Sequence, residues 1–258
     1  MAEKILITGM SGLIGGLAAR HFSRNYTVSG IGRSPVDGFS YTVADTADFE
    51  MMRPAFDGID TVIHMAGSRG DQPFDVHYRA NIVGTYNVLE ASRQAGVKRF
   101  IMASSGAVSA GYECDEPYRS LVSGDPAAKP PTNYELITTD DPPRPRGVYS
   151  VTKLWAEAIG RAYSEQHELS VICIRVGKVE VTDVPANARN ASVWCSHADM
   201  MQMLELCVSA PASLRFDIFF SVSDNPNNYR DWSHARDVVG YVPRDSSAQH
   251  GYGERSHA

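Results

Sequence analysis

Tyr149 and Lys153 stand four residues apart in Tyr149-Ser-Val-Thr-Lys153. On a helix that spacing puts a phenol and an ammonium on one face, one turn apart. A cation beside a phenol favours the phenolate, the form that a general base needs. Alone the pattern says little, because any helix can carry these two types at that separation. Its weight rests on what else the chain supplies.

The second constellation is glycine-rich. Thr8-Gly9-Met10-Ser11-Gly12-Leu13-Ile14-Gly15 follows the apolar run Lys4-Ile5-Leu6-Ile7-Thr8 and opens a helical pattern from Leu13 to Ser23. There Gly9 allows a tight turn, Gly12 lets backbone approach a pyrophosphate, and Gly15 permits close packing of helix on strand. The helix N-terminus adds N–H groups and positive dipole for the phosphates. Cofactor contacts are therefore expected at Gly9, Ser11, Gly12, Leu13, Ile14 and Gly15.

An enzyme specific for NAD usually ends its second strand with Asp or Glu, which binds the ribose hydroxyls. Here the strand ends Ile31-Gly32-Arg33-Ser34, with no carboxylate and a guanidinium suited to a 2′-phosphate. The expectation is NADP or NAD, with NADP favoured through Arg33 and Ser34; the plainer alternative lays Arg33 over the adenine. Asp45 either reaches the adenine edge or caps a helix.

These residues need elements to hold them. Further strands are expected at Thr27–Ile31, Tyr41–Val43, Thr61–Met65, Arg99–Ala103 and Val171–Arg175, with helices at Ile82–Ala95, ended by Gly96, and Tyr149–His167. Short apolar strands alternating with amphipathic helices imply a Rossmann-like α/β fold, a doubly wound parallel sheet covered on both faces. The expected organisation is a dinucleotide-binding domain over residues 1–177, a small substrate-binding region over 178–243, and a flexible tail over 244–258. Residues 112–147 hold seven of the 14 prolines and read as an irregular excursion, either a lid or a passive insertion.

Composition sets the outer limits. With 258 residues, 43% hydrophobic and 21% charged, the chain can bury a sizeable core. A net charge of -6 argues against nucleic acid as a partner. The cysteines (Cys114, Cys173, Cys195, Cys207) form no CxxC pair, so neither a zinc site nor a disulfide framework is expected. No apolar stretch reaches membrane-spanning length and no signal peptide is read, so the expected location is the cytoplasm. Ser196-His197-Ala198-Asp199 is no hydrolase triad, because triads assemble from distant positions. It reads as a helix start with Ser196 capping. His64 is expected to pack at a strand end.

The glycine turn, the Tyr149/Lys153 pair and Ser104-Ser105 at the end of the fifth strand occur in one chain in one order. Together with Val62-Ile63-His64-Met65-Ala66-Gly67 and Asn81-Ile82-Val83-Gly84-Thr85, they resemble the extended short-chain dehydrogenase/reductase family over nearly the whole chain. A narrower likeness is to uronate dehydrogenases and archaeal NAD-dependent glucose-6-phosphate dehydrogenases. It rests on Ile174-Arg175-Val176-Gly177, Trp194-Cys195-Ser196-His197-Ala198-Asp199, and Ser223-Asp224-Asn225 leading to Gly240-Tyr241-Val242-Pro243.

The resemblance implies roles. Tyr149 is the general base, Lys153 supports it and holds the nicotinamide ribose, Ser105 orients the substrate oxygen with Ser104 beside it, and Asn81 supports Lys153. The plain alternatives are a strand-end cap for Ser105 and an ordinary helix-turn residue for Asn81. Met65, Ala66, Gly67 and Val176 are implied cofactor contacts. Where uronate dehydrogenases carry Ser-Ser-Asn-His, this chain reads Ser104-Ser105-Gly106-Ala107, with Gly106 left beside the substrate. Lys178 and Arg69 stand where those enzymes have small hydroxyl residues, and Arg189 matches the arginine that binds the substrate carboxylate. The three cations imply a small anionic sugar, oxidised at C1 to a lactone. The C6 group would be a sulfonate, as in sulfoquinovose, a phosphate or a uronate, with the first two favoured. The rivals are a nucleotide-sugar epimerase or dehydratase, for which residues 154–258 leave little room, and a non-catalytic redox regulator, which would not need Tyr149 and Lys153. Members of the family commonly associate through the two long helices, so a homo-oligomer is expected.

Overall fold

The computed structural model describes residues 3–125, 127–128, 131 and 133–252. In chain order the elements are β1 (Lys4–Thr8), α1 (Leu13–Phe22), β2 (Thr27–Gly32), β3 (Ser40–Val43), α2 (Phe49–Met52), β4 (Thr61–His64), α3 (Phe74–His77), α4 (Gly84–Ala95), β5 (Arg99–Ser105), α5 (Tyr118–Ser123), α6 (Val148–Gln166), β6 (Ser170–Val176), α7 (Ala188–Ser192), α8 (His197–Ser209), β7 (Phe216–Ser221) and α9 (Ser233–Val239). The strands form a parallel seven-stranded sheet in the order β3-β2-β1-β4-β5-β6-β7. The chain order reverses between β1 and β4, where loops diverge at the carboxyl ends and α/β sheets bind their ligands.

The physical causes are local. Ile5, Leu6 and Ile7 of β1 are fully buried, as a central parallel strand with both faces covered requires. In α4 the apolar stripe Val88, Leu89 and Ala91 joins Leu6, Val62 and Phe100 in one core. Gly96 ends that helix in the left-handed conformation (φ 73°), which only glycine adopts without strain. Between α3 and α4 the backbone widens into a π-helical turn, Tyr78–Val83.

Two compact units are distinguishable. The first comprises the chain through Ser104 with Gly147–Ile174 and Cys207–Ile218; the second comprises Ser105–Arg146, Arg175–Leu206 and the chain from Phe219. The division differs from the expected one at residue 177 in two main respects: residues 105–146 belong with the second unit, and Cys207–Ile218 belongs with the first. The proline-rich stretch is not wholly irregular either. It contains α5, and Leu121 and Ile137 share a small core with Val193 and Tyr229. The Ile137 N–H donates to Tyr229 O at 2.7 Å and the Asp231 N–H to Ile137 O at 2.9 Å, so the excursion is tied into its own unit.

The expected flexible tail is anchored over its described part. The Arg244 N–H donates to Asp199 Oδ1 at 2.8 Å, the Ser247 N–H to Asn225 Oδ1 at 3.0 Å, and Ser247–His250 forms a 3-10 turn. Residues 253–258 lie outside the described residues. Among the described residues no helix is long and apolar enough to cross a membrane.

Candidate active site

In the first unit the loops after β1 and β4 meet closely. Gly9 has φ +68°, and a Cβ there would lie 2.7 Å from Ala66 N; a Cβ on Gly15 would lie 2.3 Å from Gly9 O. Both glycines are thus dictated by backbone. Gly12 is the N-cap of α1 and no side chain caps that helix end, with the exposed Ser11 and Gly12 beside it. A backbone cradle with uncapped N–H groups at a helix start fits the diphosphate of a dinucleotide. Leu13 and Ile14 form the first turn, and Met65, Ala66 and the exposed Gly67 form the facing loop.

Tyr149, Lys153 and Asn81 come together in the same unit. Gly147, at φ +86°, starts α6, which presents Tyr149 and, one turn later, Lys153. The buried ammonium lies 5.9 Å from the Tyr149 ring centre and donates to Ala103 O at 2.8 Å. A Cβ on Gly67 would lie 3.0 Å from Asn81 Oδ1 and 3.5 Å from Lys153 Nζ, so Gly67 keeps the front of the lysine clear.

Asn81 sits in the π-helical turn, a distortion frequent at functional sites. Its Oδ1 accepts the Ser68 N–H at 2.7 Å, and its Nδ2 donates to Ser68 O at 3.0 Å and to Thr152 Oγ1 at 2.9 Å. Thr152 in turn donates to Tyr149 O at 2.7 Å. One buried amide thereby fixes the loop after β4 to the first turn of α6. The ring of His77, which the sequence did not single out, packs 6.0 Å from that of Tyr149.

His64 is a packing residue, as expected. Its Nδ1 meets Thr8 Oγ1 at 2.7 Å and its Nε2 meets Thr85 Oγ1 at 3.1 Å. Burial, with Lys153 second, pushes the imidazole down to about 3 from its ordinary 6.5. Among the described residues no cluster of His, Cys, Asp or Glu could hold a metal, and the four cysteines are free thiols, with Cys114 exposed.

At the end of β2, Arg33 and Ser34 are exposed. A Cβ on Gly32 would fall 2.6 Å from the Tyr41 hydroxyl, so the tyrosine of β3 takes the room beside β2. Asp45 accepts the Ala47 N–H at 2.9 Å and pairs with Arg79 at 3.2 Å, and the helix cap three residues later is Asp48. The helix-cap role expected as one alternative for Asp45 thus falls to Asp48 instead.

Three of the residues expected to touch substrate are otherwise committed. Ser104 is buried and its hydroxyl donates to Glu157 of α6, so it holds strand to helix. In the second unit Lys178 pairs with Glu180 at 3.5 Å. Arg189 is gripped from two nitrogens by Glu113, Nε at 3.2 Å and Nη2 at 2.9 Å. The expected set of bare cations is therefore corrected: two of its members carry a carboxylate, and only Arg69, in the first unit, is plainly exposed. Burial works against the Glu113 carboxylate, but Arg189 and the Tyr229 hydroxyl outweigh it and hold it below the usual range. Ser105 Oγ accepts the Ala107 N–H at 3.1 Å, the strand-end cap anticipated as its plain role, and this leaves its own proton free to be donated. Val176 closes β6 and is buried.

The second unit also holds a cation that sequence reasoning missed. Arg230 is fully buried, and its Nη2 donates to Gly106 O at 2.9 Å and lies 3.2 Å from the Tyr229 hydroxyl. A Cβ on Gly106 would lie 2.0 Å from Arg230 Nη1, so the glycine after Ser105 is what admits the guanidinium. The signal was present as Gly106 itself, but its partner lies far along the chain.

Residues 5–242 match the NAD dependent epimerase/dehydratase family. The chain belongs to this family. An NAD-dependent glucose-6-phosphate dehydrogenase of Haloferax volcanii is 32% identical over 260 residues, covering 96% of both chains. An L-arabinose 1-dehydrogenase (NAD(P)(+)) of the same organism is 29% identical, covering 95% of this chain and 98% of the relative. The crystal structure of uronate dehydrogenase from Agrobacterium tumefaciens superposes with a TM-score of 0.80 at 26% identity, covering 96% of this chain and 86% of that one.

Within the epimerase/dehydratase family this chain retains the glycine turn and the tyrosine–lysine pair that dinucleotide chemistry requires. It is an NAD-binding enzyme of the short-chain dehydrogenase/reductase type, acting on a CH–OH group.

Proposed function

We propose that the protein is an NAD(P)-dependent sugar 1-dehydrogenase that oxidises C1 of a hexose with an anionic group at C6 to the lactone. The observation that carries this reading is the Tyr149–Lys153–Asn81 arrangement, in a chain similar over 96% of its length to a glucose-6-phosphate dehydrogenase. Oxidation at C1 removes a proton from O1 and a hydride from the carbon. Tyr149 takes the proton, and the Lys153 ammonium favours the charged phenolate that can do so. Ser105 donates its proton to the sugar oxygen and orients it. The bound oxidised dinucleotide supplies the hydride acceptor, so no further oxidant is needed.

A tetrahedral phosphate or sulfonate, such as that of sulfoquinovose, suits the second unit better than a uronate. Glu113 already takes the Nε/Nη2 edge of Arg189, one of the two edges on which a guanidinium grips a planar carboxylate, so the remaining donors favour a tetrahedral oxyanion with more acceptor oxygens. Arg33 beside Gly32, with no carboxylate at the end of β2, favours acceptance of NADP as well as NAD. A homo-oligomer belongs to the same proposal, since Tyr86 of α4 and Val151 of α6 are exposed; sedimentation would read it, and a monomer at micromolar protein would remove it.

The test is a panel of glucose, glucose 6-phosphate, sulfoquinovose, glucuronate and UDP-glucose with NAD and NADP, followed at 340 nm. Reduction with an acidic hexose, and not with the nucleotide sugar, is the expected result. Turnover of the nucleotide sugar alone would refute the proposal.

A further inference from the structure

Four residues of the second unit form a line in which two guanidiniums flank one carboxylate, with a phenol hydroxyl linking the buried guanidinium to it. Arg230 touches the Tyr229 hydroxyl at 3.2 Å, that hydroxyl donates to Glu113 Oε1 at 2.6 Å, and Arg189 grips Glu113 at 2.9 Å. Exposure follows the same line. Arg230 is fully buried, the Glu113 side chain is 7% exposed, and that of Arg189 is 39% exposed. The half-exposed arginine is therefore the member that a ligand reaches first, and the others stand behind it.

The charge balance gives the arrangement a direction. Arg189 and Glu113 alone would form a neutral pair, which attracts an anion only weakly. Arg230 adds a second positive charge, and its own bonds go to neutral partners, Gly106 O and the Tyr229 hydroxyl. Its Nε is buried with no hydrogen-bond partner among the described residues. The rings of Phe220 and Tyr229 lie 5.9 Å and 5.2 Å from its guanidinium carbon. A guanidinium taken out of water without a carboxylate of its own is costly unless charge elsewhere compensates it. Within this line one carboxylate serves two guanidiniums, and the surplus charge is satisfied when an anion arrives. The room for Arg230 exists only because residue 106 is glycine.

We propose that Arg230 is a specificity-determining residue, a buried positioning cation that offsets Glu113 through Tyr229 and so leaves Arg189 net positive toward a tetrahedral oxyanion on the sugar. This inference rests on the sugar-dehydrogenase reading with an anionic C6 group. Glu113 fixes the direction of the Arg189 fork, Tyr229 fixes Glu113, and Arg230 supplies the charge that Glu113 would otherwise cancel.

The test compares the best acidic hexose of glucose 6-phosphate, sulfoquinovose and glucuronate with neutral glucose, using full-length enzyme. Arg230→Met is expected to raise KM for the acidic hexose on the order of tenfold, the effect of one charge removed at short range in a partly buried site. KM for glucose and kcat for both should stay within about twofold. Arg230→Lys, which keeps the charge, should recover much of the loss. Equal changes for both sugars, or none, would overturn the inference. Should Arg230→Met fail to fold, Tyr229→Phe removes only the connecting hydroxyl. It should raise KM for the acidic hexose alone by several-fold, and an unchanged ratio between the sugars would count against the line. Wild-type enzyme that prefers no acidic hexose over glucose would sink the substrate reading and the Arg230 inference with it. A wild-type preference that survives in Arg230→Met would sink the inference alone.

Discussion

Tyr149 carries a phenol whose ring centre α6 holds 5.9 Å from the buried Lys153 ammonium, and its backbone is tied to Thr152 and, through it, to Asn81. Phenylalanine keeps the ring and its packing on His77 while deleting the proton acceptor. Tyr149→Phe is therefore expected to lower kcat by roughly 10²- to 10⁴-fold, the usual worth of a positioned acid or base, with the NAD dissociation constant nearly unchanged. A variant retaining more than a tenth of wild-type kcat would show that another group removes the proton. The pair was legible in the sequence because its geometry is local, four residues on one helix. Asn81 was legible as a residue type, but not its bond to Thr152, 71 positions away. Glu113, Tyr229 and Arg230 were not legible at all. Their contacts span 116 and 124 positions, and no periodicity of one element encodes a partner on another. The same distance explains why Arg189 reads as a bare cation, its carboxylate lying 76 positions away at Glu113; Lys178 has its partner two positions on at Glu180, a pairing that no element period announces.

The glycine turn works as an element rather than as a set of side chains. Its shape comes from a left-handed residue at Gly9 and from contact of Gly15 with the Gly9 carbonyl. Gly15→Ala would place a methyl carbon 2.3 Å from that oxygen, and backbone cannot yield as a side-chain tip does. Helix α1 must then move off β1, taking its free N–H groups out of register with the diphosphate. The expected outcome is NAD affinity weakened more than tenfold, with about 1–3 kcal/mol of overpacking cost to stability. Calorimetric titration with NAD reads the first and urea unfolding the second; wild-type affinity would show that the cradle does not carry the diphosphate. The first six strands and the helices α1, α4 and α6 emerged from the sequence within two residues at each end, because burial on both faces writes continuous apolar runs and α4 writes a 3.6-residue stripe, whereas β7 and the full length of α8 did not emerge. Helix α5 did not emerge, since prolines surround it and its one fully buried leucine, Leu121, belongs to a core shared with Ile137 and Tyr229. The anchoring of residues 244–252 was equally hidden. It depends on buried acceptors of Asp199 and Asn225, while the segment itself is polar and without period.

For the whole molecule, pH tests whether the centre of the first unit is as tightly closed as its contacts indicate. His64 is held between the hydroxyls of Thr8 and Thr85, and burial first, Lys153 second, puts its imidazole at about 3 against 6.5 in the open chain. A base with a depressed native pKa binds its proton more readily in the unfolded state. Stability is then unaffected above about pH 6.5 and falls as pH drops from there toward 3, by about 1.4 kcal/mol for each unit. The full span corresponds to roughly 5 kcal/mol, comparable with the whole stability of many domains. Glu90, held near 2 by the Arg93 pair, acts in the same direction but only below its unfolded value of 4.5, and solvent at the exposed Arg93 screens the pair. Between pH 6.5 and 4.5 the comparison of wild type with His64→Gln isolates the histidine, because other shifted groups, such as the Asp199 carboxyl raised by burial, are common to both proteins. Urea unfolding across that window should show wild-type stability falling steadily. His64→Gln keeps hydrogen-bonding capacity toward the two threonines but has no proton to take up. It should start less stable at pH 7.5 and change little on acidification, so that the two curves converge. Parallel curves would mean that His64 is protonated in the native protein, and that the junction of β1 and β4 admits water and charge at the point where the dinucleotide cradle begins.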